Sequence, residues 1–153
     1  MKQDKPLAFF DLEATGTSTD NDRIVDIAVI KRLPDGTETA FVSLVNPGMP
    51  IPREAIEIHH ITDAMVVKAP SFKEIAPSLL DFLHDCDLAG FGVARYDIPM
   101  IQNEFKRAGF EFKLEGRSVV DALTIFHRME RRNLSAAYKF YCGKDHSGAH
   151  RAE

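Results

Sequence analysis

The sequence predicts an α/β domain: a mixed sheet whose first strands are antiparallel, flanked by helices. Three observations carry that expectation. Apolar runs of strand character crowd the first 45 residues, with a turn signal between the second and third. Beyond them, short apolar runs alternate with segments of helical periodicity, so the element order reads β-β-β-α-β-α-β-α. Finally, the chain has 153 residues, 44% hydrophobic and 27% charged. That is a globular composition, and a chain of this length buries enough surface for a core without disulfide or metal staples. Disordered, collagenous and low-complexity classes are excluded, and neither an internal repeat nor a linker is visible.

Each element has a local reason. Leu7 to Leu12 (LAFFDL) is a short apolar run that reads as a buried strand. After a polar loop from Thr15 to Asp22, Ile24 to Ile30 (IVDIAVI) gives a second strand, and Thr37 to Val45 a third. Pro34-Asp35-Gly36 between them is a turn signal and makes the pair a hairpin. Arg53 to His60 reads as one or two helical turns. Ser71, with Glu74 at the capping-box position, opens a helix through about His84, with Phe72, Ile75, Leu79, Phe82 and Leu83 at helical spacing. Asp87 to Phe91 is a short strand, Ile98 to Ala108 a helix closed by Gly109, and Ser118 to Val120 a last strand. Helices are expected from Asp121 to Arg131 and from Leu134 to about Tyr141, with Asp121 as a cap rather than a ligand.

Nineteen Lys and Arg against 23 Asp and Glu leave a net charge of −4, so bulk charge shows no basic footprint for nucleic acid. Acids clustered to hold cations would make that net a poor guide to the working surface. No run is long and apolar enough to span a membrane, and the N-terminus lacks a signal peptide's apolar stretch. The two cysteines, Cys86 and Cys142, fit reduced thiols, and the expectation is a cytoplasmic protein.

Chemistry concentrates at the end of the first strand. Residues i and i+2 of a strand share a face, so Asp11 and Glu13 project together while Leu12 points away. Paired carboxylates at a buried strand end repel unless a cation lies between them, and an oxygen pair suits Mg²⁺ or Mn²⁺. A solvated strand end whose acids face water would carry the same pattern. Asp11-Leu12-Glu13-Ala14-Thr15 also looks like the D-x-D-x-T opening of haloacid-dehalogenase-type phosphatases, but those enzymes need aspartate where Glu13 stands.

Four segments set the pair in context: F-F-D-L-E-A-T-G from Phe9, P-R-E-A-I-E-I-H-H-I-T from Pro52, G-F-G-V-A-R-Y-D-I-P-M-I from Gly90, and Y-K-F-Y-C-G-K-D-H-S-G-A-H-R-A-E from Tyr138. In order and separation they resemble the DEDDh 3′–5′ exonuclease family, which includes the proofreading epsilon subunit of bacterial DNA polymerase III. The resemblance covers nearly the whole chain. It implies a ribonuclease-H-like fold and metal-dependent removal of nucleoside 5′-monophosphates from a nucleic-acid 3′ end, single-stranded DNA more than RNA, with a DNA polymerase as a partner. It implies that Asp11, Glu13 and Asp97 bind two divalent cations, Mg²⁺ or Mn²⁺, and that His150 is the general base. Ala14, Thr15, Gly16, His59 and Tyr96 match substrate-binding positions.

Three departures stand out. Gly92 replaces a frequent asparagine, and His60 a common glycine. The family's fourth metal acid lies five residues past the histidine, beyond Glu153, so the expectation is a single exonuclease domain over residues 1–153, truncated just before that ligand. A non-catalytic nucleic-acid-binding module on the same fold is the alternative that this gap allows.

Overall fold

The first strand, β1 (Leu7–Ala14), is the spine of a five-stranded sheet, and its alternation explains why. Ala8 and Phe10 enter the main core, while Leu7 and Phe9 pack on the opposite face against Ala89. A strand buried on both faces belongs at the centre of a sheet. The computed structural model describes residues 4–121 of the chain.

β2 (Ile24–Arg32) and β3 (Glu38–Leu44) form the expected hairpin and extend the sheet on one side, both pairings antiparallel. Gly36 turns the chain with φ +91°, a conformation that glycine enters without a Cβ penalty. On the other side β4 (Asp87–Gly90) and β5 (Val119–Asp121) run parallel to β1, giving the strand order β3-β2-β1-β4-β5. The carboxyl ends of β1, β4 and β5 therefore lie along one edge. Crevices outside such ends are where open α/β sheets bind ligands. The β1–β2 register slips between Glu13 and Ala14, leaving Val25 without a partner on β1. This bulge bends the strand just where the predicted acids end.

α1 (Arg53–His59) and the single turn α2 (Asp63–Val66) sit on a small cluster built from Val25, Ile51, Ala55, Ile61 and Val66. α3 (Phe72–Phe82) begins with the predicted capping box: Ser71 Oγ accepts from Glu74 N–H at 3.2 Å, and Ser71 N–H donates to Glu74 Oε1 at 2.8 Å. α3 and α4 (Ile98–Arg107) cover one face of the sheet, and Phe72 and Phe105 meet edge to face at 5.1 Å.

Three local features were not foreseen. α2 is too short to show a period. Val93–Asp97 forms a π-helical turn ahead of α4, closed by Ile98 N–H donating to Val93 C=O. Asp121, expected to start a helix, is the last residue of β5, whose pairing with β4 carries it to the sheet edge. The helices expected after Asp121, Cys142 and His150 lie outside the described residues.

Candidate active site

At the edge where the parallel strands end, a cleft of about 530 Å³ opens between the end of β1, α1 and the π-helical turn. Glu13, Ala14, Thr15 and Gly16 line it from β1 and the following loop, His59 from α1, and Tyr96 and Asp97 from the π-helical turn. The structure thus brings seven of the predicted site residues together. Asp11 is not part of the lining; it stands one pleat further back on the face it shares with Glu13.

The electrostatics centre on Asp97. Burial pushes its carboxyl well above the usual carboxylate range, and the charges of Asp11, Glu13 and then Asp121 push it the same way. On β2, Asp26 is buried and paired in register with Glu13. Hard carboxylate oxygens whose charges bear on one another fit a hard divalent cation, which would reverse the upward displacement. Among the described residues, no three His, Cys, Asp or Glu side chains already stand grouped as a metal would need them.

Asp97 reaches this place because of two glycines. Gly90 ends β4 where a Cβ would come within 3.1 Å of Val93 Cβ and 3.2 Å of Phe10 C=O, so a side chain there would push the turn a few tenths of an ångström off β1. Gly92 then adopts φ 61°, ψ 23°, the left-handed region that glycine tolerates best and asparagine next. The exchange of asparagine for glycine thus keeps the turn's backbone. Gly92 N–H is taken up by Asp121 Oδ1 at 2.9 Å, which ties β5 to the turn.

The loop after β1 is held by a residue the sequence reading passed over. Thr15 is 2% exposed, and its hydroxyl donates to Asp22 Oδ1 at 2.7 Å. Thr15 Oγ1 in turn accepts from Arg23 N–H at 3.0 Å, and Ser18 N–H donates to Asp22 Oδ2 at 2.8 Å. Thr15 therefore faces inward and shapes the loop. An aspartate just ahead of a strand-like run was the only sequence signal for Asp22, and its partners lie across the loop.

His59 also has a defined task. Its Nδ1 accepts from Ile61 N–H at 3.0 Å, which leaves the ring proton on Nε2, 3.0 Å from the Ala14 carbonyl. The ring thereby pins α1 to the end of β1 at the cleft floor. Beside it Ile58, 78% exposed, and Tyr96, 41% exposed, give the cleft apolar surface.

A mixed five-stranded sheet with antiparallel strands first, parallel strands after, and acids gathered at the parallel strands' carboxyl ends defines the ribonuclease-H-like fold class. The family model for the RNase T exonucleases matches residues 8–153. The chain belongs to this exonuclease family. Among curated relatives it is 30% identical over 116 residues to the PolC-type DNA polymerase III of Caldanaerobacter subterraneus subsp. tengcongensis, covering 76% of this chain and 8% of the relative. It is 27% identical over 119 residues to the 3′–5′ exonuclease DinG of Staphylococcus epidermidis, covering 78% of this chain and 13% of the relative. The chain thus spans about a tenth of these proteins' lengths. Among solved structures, a product-bound exonuclease I superposes with TM-score 0.77 over 98% of this chain and 41% of its own, at 17% identity. A metal-free E. coli exonuclease I–single-stranded DNA complex gives TM-score 0.71 over 79% and 29%, at 19% identity. These superpositions support the fold.

Proposed function

We propose that the chain is a Mg²⁺- or Mn²⁺-dependent 3′–5′ exonuclease domain that releases nucleoside 5′-monophosphates, preferentially from single-stranded DNA. The observation that carries this reading is the meeting of the charges of Asp11, Glu13 and Asp97 at one end of a cleft shaped by Thr15, Gly16, His59 and Tyr96. Asp11, Glu13 and Asp97 would hold the cations. Divalent cations, when bound, supply Lewis acidity at the scissile phosphate and make the attacking water more acidic. His150 takes the water's proton on a ring nitrogen at neutral pH. The Thr15–Gly16 loop, braced by Asp22, positions the terminal nucleotide, while Ile58 and Tyr96 present surfaces on which bases of any sequence can rest. The DNA polymerase III among the relatives supports a place beside a DNA polymerase as its editing activity, and a cytoplasmic location is part of the same proposal.

The test uses DNA and RNA strands of equal sequence, each labelled at the 5′ end and incubated with Mg²⁺ or Mn²⁺. A one-nucleotide ladder, faster on DNA and lost in His150→Ala, is expected. A ladder on RNA alone overturns the substrate preference. Absence of hydrolysis and of Mn²⁺ binding by calorimetry, both in this chain and in one extended by natural sequence past Glu153, overturns the enzyme.

A further inference from the structure

We propose that a second pocket, on the far side of the loop that forms the cleft, binds a phosphate group. The pocket has a volume of about 210 Å³ and is lined by Arg23, Lys73, Arg107 and Glu104, with Gly48 and Ser71 at its sides. Three cationic side chains against one acid is the reverse of the chain's overall balance of −4. Glu104 is already committed: its Oε2 accepts from Ile24 N–H at 2.8 Å, and its Oε1 lies 3.3 Å from Arg107 Nη2. Arg107 is also engaged, donating to the carbonyls of Asp20 at 3.3 Å and Asp22 at 3.4 Å.

Arg23 differs. Its Nε is buried and has no hydrogen-bond partner among the described residues. No hydrogen bond or ion pair among the described residues engages its guanidinium, and a guanidinium matches the oxygens of phosphate and carboxylate groups. Lys73 adds a second charge from the first turn of α3, whose macrodipole has the same sign there. The capping box already takes up the Ser71 and Glu74 N–H groups, so a phosphate here would be held by the Arg23 and Lys73 side chains.

One loop serves both sites. Thr15 N–H donates to Arg23 C=O at 2.8 Å, and Arg23 N–H returns a bond to Thr15 Oγ1 at 3.0 Å. Asp22 lines the cleft and Arg23, the next residue, lines the pocket. A phosphate on Arg23 therefore bears directly on the segment that shapes the cleft. The assignment of this phosphate to a nucleic-acid strand rests on the exonuclease reading; the pocket's affinity for a phosphate group does not.

The experiment titrates the full chain, in EDTA to prevent turnover, with inorganic phosphate and separately with a single-stranded oligodeoxynucleotide. The Arg23 Nε–H resonance is followed by NMR, and oligonucleotide affinity by anisotropy at several salt concentrations. Both ligands are expected to shift the resonance, with Arg23→Gln abolishing phosphate binding and Lys73→Gln weakening it severalfold. Each substitution should flatten the dependence of log affinity on log salt by about 0.7, the value per phosphate contact on a single strand. A shift with DNA alone assigns a strand phosphodiester, and a shift with phosphate alone assigns free phosphate or a nucleotide; either supports the pocket. If neither ligand moves the resonance and both variants bind like wild type, the proposal is wrong, whatever the hydrolysis assay gives. Failed hydrolysis by this chain and by one extended by natural sequence, with intact phosphate binding, would instead sink the exonuclease reading.

Discussion

Replacing Gly16 by alanine should damage the cleft by dislodging Asp22, and the coordinates give the size of the effect. A Cβ at Gly16 would fall 2.4 Å from Asp22 Oδ2, 2.8 Å from its Cγ and 2.9 Å from Oδ1. Ordinary contact begins at 3.4 Å, so the carboxylate must retreat by about 1 Å. That breaks its bonds from Thr15 Oγ1, now 2.7 Å, and from Ser18 N–H, now 2.8 Å. Hydrogen bonds to a charged group contribute about 1.5–3 kcal/mol each when buried, and Asp22 is half-buried. A loss of about 2–3 kcal/mol follows for Gly16→Ala, and a similar loss for Asp22→Ala, which removes the same bonds. Because both act on one set of contacts, the double variant should be no worse than Asp22→Ala, a coupling of about 2 kcal/mol. Urea denaturation of wild type, both single variants and the double variant measures this. kcat/KM for a labelled strand, measured alongside, should fall in all three variants. If the two losses simply add, to about 5 kcal/mol by the estimates above, Asp22 is not what Gly16 makes room for.

Two further outcomes follow from the backbone and from the acids. His60 holds φ 62° at the C-cap of α1, where its N–H donates to Ile56 C=O at 2.7 Å; glycine fits that conformation better, so His60→Gly should raise the unfolding free energy measured in urea by about 0.5–1 kcal/mol once the unfolded chain's extra freedom is subtracted. Asp97 has a raised folded-state pKa, so in the absence of metal the native state holds this proton to higher pH than the unfolded chain does. Stability therefore drops as pH rises from about 4 toward the raised value, and Asp97→Asn removes that loss. Melting in EDTA should show the Asn variant gaining on wild type from pH 4 to pH 7, whereas Mn²⁺ should raise the melting temperature of wild type alone. An unchanged difference across that range refutes the burial argument.

Legibility in the sequence tracked the range over which each feature acts. The hairpin was readable because Pro34-Asp35-Gly36 is local, and so was the start of α3, whose capping box spans Ser71 to Glu74. The shared face of Asp11 and Glu13 needed only the period of a strand. The π-helical turn was not readable: it depends on Gly90 meeting Phe10 of β1 and on Asp121 of β5 accepting the Gly92 N–H. Nor was the role of Asp22, which follows from Thr15 turning inward beneath it. The resemblance supplied Asp97, Tyr96 and His59 as site residues, but not that both ring nitrogens of His59 meet backbone groups.

The sequence by itself determined the strands, the helices α1, α3 and α4, the paired acids of β1 and the Pro34-Asp35-Gly36 turn. Those follow from side-chain periods and backbone sterics acting over a few residues. Only the tertiary structure decided that the carboxyl ends of β1, β4 and β5 share one edge, because strand order depends on contacts between distant segments. That order sets Asp97 among the charges of Asp11, Glu13 and Asp121, and it places Arg23 behind the loop whose front forms the cleft.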